Sequence, residues 1–385
     1  MLDSRFFLNP AAAAYTAPAP AGDPLALHRL LPGYAPTPLV AAPQLAATLG
    51  LGQVWVKDES ERIGLPAFKI LGAAWATACA LLRRLGQAEL GCGSLAELGE
   101  LVAPLRPLTL AAATDGNHGR AVAHMARLLG LGAQIFVPRG TAQARIDAIT
   151  GEGAAVTVVD GGYDAAVARS AALAGPGCLV ISDTSWPGYE DTPRDVIAGY
   201  ATIFHEIDRQ LADMAAAPPD LVLVQVGVGA LAAALVRHYR RAGSPHRPQL
   251  VGIEPTRAAC VLASLQAGQI VSIPGPQDSI MAGLNCGTPS LVAWPDLSAG
   301  LDALLAIDDE RARAAMRALA ADGIVAGETG AAGAAGLLDL CATAALAPLR
   351  AAIGLAPGAR VLLLCTEGAT DPIAYRQIVG SAAVL

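Results

Sequence analysis

Between Leu108 and Ser182 the chain repeats one pattern, a short strand-like run followed by an alanine-rich helical run. Leu108 to Ala113, Ala133 to Pro138, Ala155 to Val159 and Leu179 to Ser182 read as strands. The stretches ending at Leu129, spanning Ala142 to Thr150 and spanning Tyr163 to Ala174 read as helices. Strands alternating with helices at this pitch form parallel βα units, which points to an open α/β fold. A second set begins with strand Leu221 to Val226, helix Ala230 to Arg241 and strand Gln249 to Glu254, and Val361 to Cys365 adds a late strand. A chain of 385 residues is long enough for two such domains. Residues 1–80 with 200–385 are expected to form a large domain and 81–199 a small one, interleaved, with a ligand cleft between them. Residues up to about Tyr34 read as an irregular arm, Pro36 to Leu39 as an extended entry, and Gln53 to Lys57 as a short strand.

Composition narrows the partners. The longest apolar run, Leu221 to Val236, is interrupted by Gln225, Gly227 and Gly229, so it reads as strand, turn and helix and not as a membrane span. The start of the chain, with Asp3, Arg5 and then a Pro/Ala-rich stretch, does not look like a signal peptide. A net charge of −7 without a basic cluster argues against nucleic acid. Seven cysteines, an odd number with no C-x-x-C spacing, fit a reducing cytoplasm and speak against a structural zinc or other metal.

Of 26 basic residues only two are lysines, Lys57 and Lys69; the rest are arginines. A guanidinium is never a neutral nucleophile, whereas a lysine can lose its proton and form a Schiff base. Lys69 follows Gly64 and Pro66 and precedes the helix-like run Gly72 to Arg84, which places it at a helix N-terminus. Its apolar neighbours Phe68, Ile70 and Leu71 and the positive helix end both favour the neutral amine. The expectation is a lysine of lowered pKa.

Four further stretches end strands where α/β ligands bind. Thr114-Asp115-Gly116-Asn117-His118-Gly119 opens a helix and lets a loop approach a ligand, although Thr114 or Asp115 could equally be a helix cap. His118 reads as a packed or capping histidine without a proton-transfer role. The turn Gly227-Val228-Gly229-Ala230-Leu231 offers backbone N–H groups to a phosphate. With Ala232 and Glu254 it also satisfies a dinucleotide fingerprint, which keeps an NAD-dependent or flavin oxidoreductase as a rival; that reading leaves Lys69 and Asn117 without work. Asp183 and Asp115, at the ends of neighbouring strands, could face one cleft and move protons there. Thr366 offers a hydroxyl that can hydrogen-bond a ring nitrogen without giving it a full charge. A ligand-binding module is the non-enzymatic alternative.

Together these motifs resemble the fold-type II pyridoxal-phosphate enzymes, the group related to the tryptophan synthase β chain, from about Pro36 to Asp371. Within the group the chain is most similar to the diaminopropionate ammonia-lyases. The likeness lies in Phe68-Lys69-x-Leu71-Gly72, the Thr114 to Gly119 loop, Asp183-Thr184-x-Trp186-x-Gly188-Tyr189, Met281-Ala282-Gly283-Leu284-x-Cys286-Gly287 and Thr366-Glu367-Gly368-x-Thr370-Asp371. The resemblance implies pyridoxal 5'-phosphate as cofactor, held by Lys69 as a Schiff base. Asn117 would bond its ring hydroxyl, the Gly227 to Leu231 turn its phosphate and Thr366 its ring nitrogen. It further implies α,β-elimination of 2,3-diaminopropionate to pyruvate and two ammonia, on D and L isomers, by a homodimer. Serine is the usual occupant at Asp115 in the dehydratases, and a carboxylate there suits an ammonium on the substrate's β carbon. Serine or threonine dehydration and β-replacement are the alternatives on the same fold. Cys260 and Cys286, which flank the Met281 segment, form a candidate pair.

Overall fold

The computed structural model describes residues 5–19, 22–89 and 91–380. By its internal contacts the chain divides into two compact units. The first comprises the described residues of Met1–Pro20, Pro36–Glu61 and Ile203–Leu385, the second those of Ala21–Ala35 and Arg62–Thr202.

The first unit is built on a seven-stranded sheet in the order Phe6–Leu8, Ala303–Ile307, Gln249–Pro255, Leu221–Gln225, Arg360–Cys365, Gln53–Asp58 and Leu39–Ala41. Its five central strands are parallel, and the two edge strands run antiparallel to their neighbours. Strands such as Leu221–Gln225 and Ala303–Ile307 are buried along their whole length, because helices cover a parallel sheet on both faces. The unbroken apolar runs of these strands follow from that burial. The supposed irregular arm is partly ordered: Phe6–Leu8 pairs with Ala303–Ile307, Phe6 standing opposite Leu305. Three residues carry too little periodicity to announce a strand, and the partner lies almost 300 residues away. Ala303–Ile307 itself escaped the sequence reading.

The second unit holds a four-stranded, fully parallel sheet in the order Ala155–Val159, Gly132–Pro138, Thr109–Ala113, Cys178–Val180. Residues 62–80, read above as part of the large domain, group with this unit instead. The reason is packing: the helix Lys69–Arg84 lies against the helices Asp191–Gly199 and Asn117–Leu129. Gly72 allows a close approach, since a Cβ there would stand 2.6 Å from the Tyr200 ring. His28, fully buried, ties the helix Pro24–His28 in by donating from Nε2 to the Leu71 carbonyl at 2.8 Å.

Lys57 turns out to be structural. Its ammonium is fully buried in the first unit and donates to Thr37 O at 2.7 Å, Glu206 Oε2 at 2.7 Å and Gln210 Oε1 at 2.9 Å. All three ammonium protons are thereby matched. Lys57→Met, which takes the ammonium away from the buried Glu206 carboxylate, is expected to destabilise the fold by about 3–5 kcal/mol. Chemical denaturation of the variant checks this, and an unchanged midpoint would contradict it.

Candidate active site

Lys69 is the first residue of the helix Lys69–Arg84, as its sequence setting suggested. Its charge state is the opposite of the expectation. The Nζ atom donates to Asp183 Oδ2 at 2.6 Å, with the lysine side chain 19% and the aspartate side chain 7% exposed. Burial by itself would lower the Lys69 pKa, but the Asp183 carboxylate, with contributions from Tyr200 and Asp115, outweighs it and holds the amine well above its ordinary value. Apolar neighbours and the helix end lost to one buried counter-charge, because an ion pair at contact distance in a poorly solvated site is stronger than either. Asp183 is correspondingly held well below the usual carboxylate range. Burial opposes this, and the Lys69 ammonium with the donor hydroxyl of Tyr163 overcomes it.

Asp115 and Asp183 follow strands that lie side by side, Thr109–Ala113 and Cys178–Val180, paired in register from Thr109 and Cys178. Asp183 bonds the Lys69 amine directly, and Asp115 adds to the electrostatics that favour its charged form. Asn117 opens the helix Asn117–Leu129, whose N-cap is Gly116 and not Thr114 or Asp115. The Thr114 hydroxyl instead accepts from Gly116 N at 2.9 Å and shapes the loop. No side chain caps this helix. His118 is buried and donates from Nε2 to Ile181 O at 2.7 Å; burial pushes its pKa down, so the ring is neutral and packed.

Two tyrosines of this cluster were not singled out from the sequence. The Tyr163 hydroxyl donates to Asp183 Oδ1 at 2.8 Å. The Tyr200 ring stacks at a tilt on Phe68 with centroids 4.7 Å apart, and its hydroxyl is buried beside the Lys69 and Asp183 charges. Tyr163 follows Gly161-Gly162 and Tyr200 follows Gly199, yet nothing in those few residues ties either hydroxyl to Asp183, which only the fold brings near.

In the first unit, the turn Gly227 to Leu231 joins the strand Leu221–Gln225 to the helix Ala230–Tyr239. Gly229 is its N-cap with φ of +100°, a conformation that favours glycine, and no side chain caps the helix. The Met281 segment packs on this turn: a Cβ at Gly227 would meet Gly283 O at 3.0 Å and Cys286 Sγ at 3.3 Å. Cys260 lies on the same residue, its sulfur 3.9 Å from Gly227 O, and both cysteines are buried thiols. Thr366 is buried with its Oγ1 3.2 Å from Gln225 Nε2, and that amide also donates to Leu364 O and Gly330 O. Gln225, which looked like a mere interruption of an apolar run, orients the threonine. Glu254 is spent elsewhere than the oxidoreductase reading required. It is fully buried, accepts from Val261 N and Leu262 N at 2.8 Å each, and is pushed up to about 8 by burial, leaving no oxygen turned toward a ribose.

Each unit by itself offers groups that suit one part of pyridoxal phosphate. An aldehyde requires an amine, and Lys69 supplies one; a phosphate requires backbone donors, and the uncapped helix after Gly229 supplies them. A family model described as pyridoxal-phosphate dependent enzyme matches residues 30–366. The chain belongs to that family. Its fold is the fold-type II, tryptophan synthase β-like architecture, and its cofactor is pyridoxal 5'-phosphate. The diaminopropionate ammonia-lyase of Salmonella typhimurium is 36% identical over 366 residues, covering 92% of this chain and 90% of that protein. Among solved structures, Escherichia coli diaminopropionate ammonia lyase in complex with D-serine matches with a TM-score of 0.88 and 34% identity, covering 99% of this chain and 98% of that one. The same enzyme with an aminoacrylate-PLP azomethine reaction intermediate gives 0.86 and 34%, with 97% and 96% covered.

Proposed function

We propose that this enzyme is a carbon-nitrogen lyase that converts 2,3-diaminopropionate and water to pyruvate and two ammonia. The observation that carries the reading is the Asp183 carboxylate held 2.6 Å from the Lys69 amine, with Asp115 acting on the same charge. Relatives that bear this activity by name are similar over nearly the whole chain, which supports it. In this reading Lys69 attaches the cofactor, Asn117 bonds its ring hydroxyl, and the backbone of Gly227, Val228, Gly229, Ala230 and Leu231 bonds its phosphate. Thr366, kept in place by Gln225, faces its ring nitrogen as a neutral partner. When bound, pyridoxal phosphate takes up the electron pair released as the Cα–H bond breaks. Asp115 and Asp183 then divide the proton transfer, one accepting the Cα proton from each isomer. A carboxyl group at Asp115 also suits the β-ammonium that departs as ammonia. Lys69 recovers the cofactor, and the released enamine hydrolyses to pyruvate and the second ammonia.

A steady-state comparison of D- and L-2,3-diaminopropionate, serine and threonine tests the substrate. Turnover of serine or threonine above that of diaminopropionate would replace the reading with a dehydratase. Borohydride reduction of the holoenzyme, followed by peptide mapping, is expected to mark Lys69 alone, because Lys57 is engaged in its buried network. Modification at Lys57, or at no lysine, would contradict the attachment site. We further propose a cytoplasmic homodimer. The odd cysteine count without paired spacing and the family resemblance support it, and light scattering at twice the chain mass is the expected result.

A further inference from the structure

We propose that Tyr163 is a positioning residue for the Asp183 carboxylate and through it controls turnover of one substrate isomer. The inference rests on the reading of Asp183 as a base given above. Tyr163 opens the helix Tyr163–Ala171, and its hydroxyl donates to Asp183 Oδ1 at 2.8 Å, while Lys69 Nζ takes Oδ2 at 2.6 Å. Each carboxylate oxygen thus has its own donor, and exchanging the two by rotation breaks both bonds. The arrangement leaves Oδ2 as the oxygen turned toward the amine and hence toward the reacting atoms. Asp183 is only 5% exposed, so water is a poor substitute for a lost donor.

The remaining groups that face this carboxylate do not change charge near neutral pH. His118 is pushed toward its neutral form by burial; Tyr189 is pushed up to about 12 and Tyr200 beyond that, both by burial. Asp115 acts on Lys69, whose amine is engaged once the cofactor is attached. Tyr163 is then the donor that stays on Asp183 through turnover, and a donor to a carboxylate favours the ionised form that a base must have.

The test is Tyr163→Phe, assayed as holoenzyme on each isomer across pH. For the isomer that depends on Asp183, as identified by Asp183→Asn, kcat is expected to fall about tenfold with KM changed less than about twofold. The acid limb of its kcat profile should rise by about one pH unit. The other isomer should keep its wild-type profile. A readout independent of activity is the titration of the Asp183 carboxyl by carbon-13 NMR in aspartate-labelled holoenzyme, assigned with Asp183→Asn; its midpoint should rise in the Phe variant. Equal losses on both isomers, or an unmoved midpoint, would overturn the proposal. If Asp183→Asn affects both isomers alike while the midpoint still rises in Tyr163→Phe, the assignment of the base is at fault and the hydrogen-bonding role of Tyr163 stands.

Discussion

Lys69→Ala is expected to eliminate pyruvate formation from 2,3-diaminopropionate altogether, with the circular dichroism spectrum retained. The argument has two parts. A methyl group can neither attach an aldehyde nor recover it after turnover, so no slower route through the same site remains. No second amine can stand in, since Lys57 is fully buried and bound to Glu206, Gln210 and Thr37. The fold should survive because Tyr163 continues to donate to Asp183 after its ammonium partner is gone. Lys69→Arg is the sharper control. It keeps a positive charge for Asp183 but not a nucleophilic amine, and is expected to be as inactive as the alanine variant. Substantial activity in either variant would end the account of this site.

Asp115→Asn and Asp183→Asn, each assayed on both isomers, are expected to lose activity by about 10²–10⁴-fold on opposite isomers. An amide keeps the size of the side chain and cannot accept the Cα proton. The two residues follow adjacent strands of one parallel sheet, and Asp183 has its oxygens matched to donors on Lys69 and Tyr163. The origin of the two acids on two different strands, from which each carboxyl group approaches along its own direction, is the physical basis for expecting different roles. Small, equal losses on both isomers in both variants would remove the division of labour and leave Lys69 as the only base.

Much of this architecture was legible in the chain because it is written in local pattern. Unbroken apolar runs marked the buried parallel strands, and glycine marked the turn where Gly229 takes a left-handed conformation. A lysine kept in a chain that otherwise uses arginine marked the amine that we propose to react. The short edge strand Phe6–Leu8 was not legible, since what makes it a strand is a partner at Leu305 and not its own three residues. The role of Gln225 was half visible: a polar residue breaks an apolar strand, but only the fold brings Thr366 to it.

By itself the sequence determined most of the parallel βα units, where the glycine turns fall and which amine is chemically distinctive, because propensity, periodicity and residue chemistry act over a few neighbours. Tertiary structure alone decided the charge on that amine. Asp183 lies 114 residues from Lys69, and its carboxylate, brought to 2.6 Å and out of water, reverses the neutral state that every local influence favoured. Proximity of charges in a desolvated site is a property of the folded chain, and no stretch of sequence contains it.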